Sequence, residues 1–402
     1  MTSCHLAPAE PIPMATVFLH TADWQLGKPF GFVGQDPRRF RLQDQRIQTI
    51  RALAATVRQS GASFVIVAGD LFDSPHVTRA TVSAACGAIG ALGVPVFAIP
   101  GNHDLGGPGS LWEQEFFLRE QRQLAPNLRV LLTPEPVVLE SAVLLPAPRR
   151  RRHESADPTV WIRQGLLDPA LPDDRPRIVL AHGATQDFGA QQDEDDERTP
   201  GGHRIDLDSL PDSAVDFIAL GDWHGTKQVG AKAWYSGTPE IDRFPKGAGN
   251  DPGNVLVVEA SRGNPPQVTR HPTTRFKWLE FGARLSGDDS LPLVREQVDS
   301  LVADRPDDRL LLLTLEGAAG LETARQLDEW LETLGARLLH LRIDQRITVA
   351  PSEEEIAALT RRSADPLIAA VAETLVSKCR ADTEEAAVAR LALRELHAAL
   401  TA

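Results

Sequence analysis

The chain has 402 residues, 42% hydrophobic and 24% charged, the balance of a folded globular protein with length for two or three domains. Its 42 Lys and Arg against 55 Asp and Glu leave a net charge of −13, so the overall field does not draw nucleic acid and any DNA contact must be a local basic patch. No run approaches the ~18–20 uninterrupted apolar residues of a membrane-spanning helix.

The three cysteines, Cys4, Cys86 and Cys379, are too scattered for a disulfide framework or a zinc spacing. Residues 1–14 lack the basic and apolar regions of a signal peptide and read as a disordered leader, with Met14 a second candidate start. The expectation is a cytoplasmic protein with no membrane attachment.

From residue 15 onward, short β-branched or apolar runs alternate with helix-like segments. Strands are expected at Thr16–His20, Phe64–Ala68, Val94–Ile99, Arg129–Leu132, Val137–Leu145, Ile178–His182, Asp216–Leu220, Ala233–Ser236 and Val255–Glu259. Between the first two lies a helix with the apolar stripe Ile47, Ile50, Leu53, Ala54 and Val57. The pattern opens as α/β and turns strand-rich, which predicts stacked sheets flanked by helices over residues 15–270.

After the Pro/Gly-rich stretch Gly263–Pro266 the composition shifts. Phe276–Phe281, Leu310–Leu315 and Leu338–Ile343 read as strands around a helix at Leu321–Leu334, with Gly335 as its expected stop. This predicts a small capping domain over residues 271–348. Residues 349–402 read as helical: Ser352 with Glu355 forms a capping box, Asp365-Pro366 opens a second helix, and Asp382 with Glu385 a third. The acidic run Asp193–Glu197 reads as a solvated loop. There is no internal repeat, Walker-type phosphate loop or Gly-x-Gly-x-x-Gly element.

Five short motifs follow apolar runs: Thr21-Ala22-Asp23-Trp24-Gln25, Gly69-Asp70-Leu71-Phe72-Asp73, Gly101-Asn102-His103-Asp104, Ala181-His182-Gly183 and Gly221-Asp222-Trp223-His224-Gly225. Singly, each has a plain structural explanation: an Asp after a strand caps or turns the chain, and a strand-end His packs half-buried. Together they project carboxylate, amide and imidazole groups from neighbouring strand ends, where α/β folds place their sites.

The order Asp-x-His, Gly-Asp-x-x-Asp, Gly-Asn-His-Asp/Glu, His and Gly-His-x-His marks the calcineurin-like metallophosphoesterases, which this sequence resembles from residue 15 to about 260. His20-Thr21-Ala22-Asp23-Trp24, the Gly69–Asp73 motif and Tyr235-Ser236-Gly237-Thr238-Pro239-Glu240 are similar to the SbcD-type nuclease subunits of double-strand-break repair. The resemblance implies a four-layer α/β/β/α sandwich with a small α+β capping domain and a C-terminal helical segment. It also implies two divalent metal ions. Asp23, Gln25, Asp70 and His224 would hold the first; Asp70, Asn102, His182 and Asp222 the second. It gives catalytic roles to His103, as proton donor to the leaving oxygen, and to Asp73, as the carboxylate that orients it.

Gln25 and Asp222 stand where the family has His. Both replace nitrogen by oxygen, which favours Mn²⁺ or Mg²⁺ over Zn²⁺. Arg149, Arg150, Arg151 and Arg152 leave a strand and could neutralise DNA phosphates near the cut, extended by Arg38, Arg39 and Arg41. The C-terminal stripes Leu367, Ile368, Val371, Leu375 and Val388, Leu391, Leu396, Leu400 read as helices packed on their own domain. In SbcD-type proteins, helices so placed dock on an ABC-type coiled-coil ATPase; a homodimer is also compatible. The expected activity is a metal-dependent DNA exo/endonuclease. A phosphoesterase of small nucleotides or phosphomonoesters, and a scaffold with a decayed metal site, are the competing expectations.

Overall fold

Nearly every residue of the central strands is apolar, a pattern that requires both faces of a sheet to be covered. The computed structural model describes residues 15–34, 36–152, 156–185, 204–244, 250–286, 289–349, 352–379 and 383–401. The expected leader, the Asp193–Glu197 run and the Asp382 cap lie outside the described residues. The chain divides after Arg275 into two compact units.

The first unit begins β1 (Ala15–Thr21), α1 (Asp36–Ser60), β2 (Phe64–Ala68), α2 (Arg79–Gly90), β3 (Val96–Ile99), α3 (Glu115–Leu124), β4 (Leu128–Val130). It continues β5 (Val137–Val138), β6 (Val143–Ala147), α4 (Trp161–Gly165), β7 (Arg177–His182), then the short pair β8 (Ala184–Thr185) and β9 (Arg204–Ile205). β10 (Phe217–Gly221), β11 (Lys227–Gln228), β12 (Ala233–Tyr235), β13 (Asn254–Ser261) and β14 (Gln267–Pro272) complete it. Two six-stranded sheets result, ordered β14-β13-β1-β2-β3-β4 and β11-β12-β10-β7-β6-β5.

Strand alternation sorts the side chains into layers. Phe18, Phe64, Ile66, Ile178, Leu180, Phe217 and Ala219 fill the space between the sheets. Leu19, Val65 and Val67 face the opposite way, onto Ile50 and Leu53 of α1 and Val82 and Ile89 of α2. Val179, Ala181, Ile218 and Leu220 face outward on the other sheet, with Ile162 of α4. The architecture is the α/β/β/α sandwich that the sequence predicts.

Two local expectations change. Val137–Leu145 is not one strand but the antiparallel hairpin β5–β6, closed where the Leu139 N–H donates to the Ala142 carbonyl at 2.8 Å. β14 pairs antiparallel with β13 beyond the Pro/Gly-rich stretch, which is therefore a hairpin turn within the sheet.

The second unit runs β15 (Lys277–Ser286), α5 (Ser290–Val302), β16 (Arg309–Ala319), α6 (Leu321–Arg337), β17 (His340–Val349), with all three strands parallel. Leu291, Val294 and Val298 of α5 and Leu327, Leu331 and Leu334 of α6 pack with Leu311, Leu313 and Leu315 of β16. Helix α6 passes through Gly335 and ends at Arg337, where the Leu338 N–H returns to the Leu334 carbonyl at 3.1 Å. The expected stop is overridden because the packed face continues to Leu338.

α7 (Glu353–Thr360) starts at the predicted capping box, followed by α8 (Pro366–Lys378) and α9 (Glu384–Thr401). Their shared core is small: Leu359, Ala372 and Leu393 with Leu321. The predicted stripes are split accordingly. Leu375, Leu396 and Leu400 pack against that core, whereas Leu367 (79% exposed), Val371, Val388 and Leu391 face solvent. Among the described residues no helix is long and apolar enough to cross a membrane, and Cys86 and Cys379 are free thiols.

Candidate metal centre

β1, β2 and β3 are mutually parallel, as are β10, β7 and β6. All five motifs therefore leave carboxyl ends of strands: Asp23 after β1, Asp70 after β2, Asn102 and His103 after β3, His182 closing β7, Asp222 and His224 after β10. The two sheets come together at this edge. The His182 Nδ1–H donates to the Ala68 carbonyl at 2.8 Å, joining the end of β7 to the end of β2.

The glycines of the motifs permit that approach. A Cβ on Gly221 would stand 2.0 Å from the Ala68 carbonyl oxygen, and one on Gly101 2.0 Å from Asp70 Oδ1. Several ligand candidates are themselves strained. Asp23, Gln25, Asp70 and Asp222 have φ of 52°, 39°, 54° and 101°, a left-handed region that non-glycine residues rarely adopt.

Asp23, Asp70 and His182, all buried, each offer one ligand atom within 4.8 Å of the others. His182 Nε2 lies 3.5 Å from Asp70 Oδ2 and 3.6 Å from Asp222 Oδ1. The Asp222 N–H donates to the Asp23 carboxylate at 3.1 and 3.2 Å. With Nδ1 giving its proton to Ala68, Nε2 is the ring atom that His182 turns into the site. Asn102 Oδ1 faces that atom at 2.7 Å. Turned over, the amide would instead donate to Asp70 at 3.0 and 3.3 Å and to His182 at 2.7 Å. Nε2 of His182, the Asp70 carboxylate and the Asn102 amide thus face one another at close range. The donor set fits a divalent ion.

Electrostatics agree. Burial pushes the Asp23 carboxyl well above the usual range, and Asp70 and Asp222 push it further. Burial also acts upward on Asp70, but His182 and His103 outweigh it and hold Asp70 below its ordinary value. A cation among these groups would relieve the repulsion that Asp70 and Asp222 exert on Asp23.

Around this core each imidazole is oriented by an acceptor. His224 Nδ1 pairs with Asp242 Oδ1 at 3.1 Å. Burial draws the His224 pKa down, whereas His224, Arg243 and Lys28 overcome burial of Asp242 and hold its carboxyl well below the usual range. His103 Nδ1 meets the main-chain carbonyl of Asp73 at 2.8 Å, so the orienting group seen there is a carbonyl where a carboxylate was expected. The Asp73 carboxylate lies 3.6 Å from Lys28 Nζ. The His103 N–H donates to Asp70 Oδ1 at 2.9 Å, and its Nε2 lies 3.9 Å from Asp70 Oδ2. Asp104 is a staple: its carboxylate accepts from Gly101 N–H (2.7 Å) and Phe72 N–H (3.0 Å), and burial, then Asp70, pushes it up to about 7.

Residues 16–226 match the family model for calcineurin-like phosphoesterases, over half of the chain. The chain belongs to that family. As a calcineurin-like phosphoesterase it is a metal-dependent hydrolase. One crystal structure aligns with 65% of this chain and 100% of its own at 14% identity and a TM-score of 0.38. The crystal structure of TT1561 of Thermus thermophilus aligns with 64% of this chain and 99% of its own at 12% identity and a TM-score of 0.39. No curated protein matches the chain.

Three features of this phosphoesterase centre escape the motifs. Gln25 Oε1 accepts from Lys28 Nζ at 3.0 Å. Asp242 lies two residues beyond the Tyr235–Glu240 motif. Arg46, 2% exposed, donates to the carbonyls of Trp24 and Asp23, fixing the first motif from α1. Its position is in register with Ile50, Leu53 and Val57, so a charged residue on the apolar stripe was the available signal.

The arginine run is corrected. Arg149 is buried at 6% exposure and does not lie on the surface where a phosphate would be met. Arg150, Arg151 and Arg152 are exposed.

Proposed function

We propose that the protein is a metal-dependent phosphodiesterase that cuts DNA, in the manner of the SbcD-type nuclease subunits. One observation carries the choice of substrate. The Arg149 N–H donates to the Pro100 carbonyl (3.2 Å) and the Gly106 N–H to the Arg149 carbonyl (2.8 Å). The exposed Arg150–Arg152 segment is thereby stitched to the loop carrying Asn102 and His103. Three exposed arginines on a segment tied to that loop suit a substrate with phosphates on either side of the scissile one.

Asp23, Asp70, His182, Asn102 and Asp222 would hold a divalent metal; their preponderance of oxygen favours Mn²⁺ or Mg²⁺. When bound, the metal neutralises phosphate charge and makes water nucleophilic at neutral pH. The remaining work falls to the chain. His182 and His224 keep Nδ1 engaged, so their Nε2 atoms remain available as donors of a lone pair. His103 gives its Nδ1 to the Asp73 carbonyl and turns Nε2 toward Asp70. In its protonated form it can pass that proton to the departing oxygen, and its 26% exposed side chain is recharged from solvent.

The apolar residues that α8 and α9 leave in solvent support docking on a partner, which we propose to be an ABC-type coiled-coil ATPase. The test is hydrolysis with Mn²⁺ of a blocked-end DNA duplex beside a chromogenic phosphodiester. Cutting of the duplex, with DNA affinity and its salt slope reduced when Arg150–Arg152 become Ala, is the expected result. Hydrolysis of the small ester alone would move the assignment to nucleotide or phosphomonoester substrates.

A further inference from the structure

The ammonium of Lys28 is gathered by three acceptors. Gln25 Oε1 lies 3.0 Å away, Asp242 Oδ2 3.2 Å and Asp73 Oδ1 3.6 Å. Gln25 and Asp242 are buried, at 2% exposure each. The position of Lys28 is fixed by its own backbone: its N–H returns to the Gln25 carbonyl at 3.2 Å, and its carbonyl accepts from Gln43 at 3.1 Å. A tight turn thus folds residue 28 back onto residue 25.

This matters because Gln25 and His224 belong to the half of the centre expected to hold a first metal ion. Gln25 has one ligand oxygen, and the Lys28 ammonium already occupies one of its two lone pairs. His224 leans on Asp242, the same carboxylate that Lys28 holds. Among the described residues the convergent group of acidic and imidazole ligands is Asp23, Asp70 and His182, and His224 stays outside it. A divalent ion drawing on Gln25 would stand beside a fixed positive charge and be repelled. A neutral amide is also a poorer ligand than the imidazole the family has there, but a good acceptor for an ammonium.

We infer that Lys28 supplies within the chain the positive charge that a two-metal centre takes from its first divalent ion, so that the protein holds one divalent ion, at Asp23, Asp70 and His182 with Asn102 and Asp222. This rests on the metal-dependent reading above and sets its metal count. Lys28 acts as a positioning residue: it neutralises Asp242 and Asp73 and keeps Gln25 turned away from metal.

Manganese binding decides the matter without reference to activity. Equilibrium dialysis and electron paramagnetic resonance of the full-length protein in Mn²⁺ should give one ion per chain, with the signal of an isolated ion. In the double variant Lys28→Met, Gln25→His, a second ion should bind at least about tenfold more tightly than any second ion in the wild type, with an exchange-coupled signal. Two ions and a coupled signal in the wild type overturn the inference and leave the hydrolase reading standing. A folded wild-type chain that binds none overturns both. A double variant that is folded by circular dichroism and still binds one ion removes Lys28 as the cause. The wild-type measurement holds even if the variant does not fold.

Discussion

Arg46 donates an Nη1 proton to the carbonyl of Glu240, 194 positions away, at 2.9 Å. Its Nε reaches the Trp24 carbonyl at 2.8 Å, and its Nη2 the Asp23 carbonyl at 3.1 Å and Thr238 Oγ1 at 3.0 Å. One buried guanidinium therefore ties the loop of the first ligand motif to the segment that leads into Asp242. Replacing it by Met takes the donor from the buried carbonyls of Trp24 and Asp23, while Glu240 keeps the Thr238 hydroxyl, and should cost about 3 kcal/mol in denaturant unfolding. Arg46→Lys should recover little, because an ammonium lacks the planar fork that spans them. A loss below about 1 kcal/mol would show that the network is not what fixes this loop.

His103 and Asp70 should separate chemistry from metal binding. His103→Gln is expected to lower kcat by roughly 10²–10⁴-fold while Mn²⁺ affinity stays within a few-fold. Asp70→Asn should abolish both, since its carboxylate lies at the centre of the ligand set. Turnover measured beside calorimetric Mn²⁺ titration separates the two variants.

Gly221→Ala puts a methyl group 2.0 Å from the Ala68 carbonyl and 2.8 Å from His182 Nδ1. The first neighbour is main chain and cannot step aside. A loss of more than about 2 kcal/mol in unfolding free energy should follow, with weaker Mn²⁺ binding as His182 is displaced. Ordinary stability in this variant would mean that the sheets do not meet so closely.

His20 lies wholly between the two sheets, edge-on to Phe217. Burial lowers its pKa to about 3, against a weak opposing contact with the Leu220 main chain. The unfolded chain takes up the proton near pH 6.5 and the folded one only near 3. Stability from this group is thus complete above pH 6.5 and falls with pH down to about 3, by on the order of 4 kcal/mol. His20→Phe should flatten the unfolding profile across that window. An unchanged slope would count against a neutral buried imidazole.

Because Asp23 holds its proton more firmly than an ordinary carboxyl, metal binding should release protons. Calorimetry in two buffers of different ionisation enthalpy should show a proton liberated as Mn²⁺ binds. Thermal stability should rise with free metal, by about 2.7 kcal/mol at a hundred times Kd, and fall on adding chelator. Binding without proton release would place the ion away from Asp23.

Much of the sandwich was legible because its signal is local. Apolar runs of four to six residues ending in Gly, Asp, Asn or His mark buried strands and the turns that follow them, and each centre-forming motif lies within one such run. The helix stripe from Ile47 to Val57 is buried as its spacing implies. Elements decided by pairing were harder. β14 is mostly exposed and gains its place from β13 alone, and the β5–β6 hairpin depends on the pairing of Val137 and Val138 with Leu144 and Val143 and on the Leu139–Ala142 bond that closes it. Helix α5 carried a readable stripe at Leu291, Val294 and Val298 that the surrounding charged residues obscured.

By itself, the order of residues determined which groups lie at strand ends and that they are of metal-binding types, since side-chain chemistry and strand periodicity are properties of short stretches. Contacts across long separations were decided only on folding. Arg46 with Glu240, His224 with Asp242 and the burial of Arg149 depend on which surfaces the two sheets cover when they close. The commitment of Gln25 to Lys28 was nearer to hand, yet it too needed the turn at residues 25–28, where Gly27 favours a left-handed backbone but Gln25 itself does not.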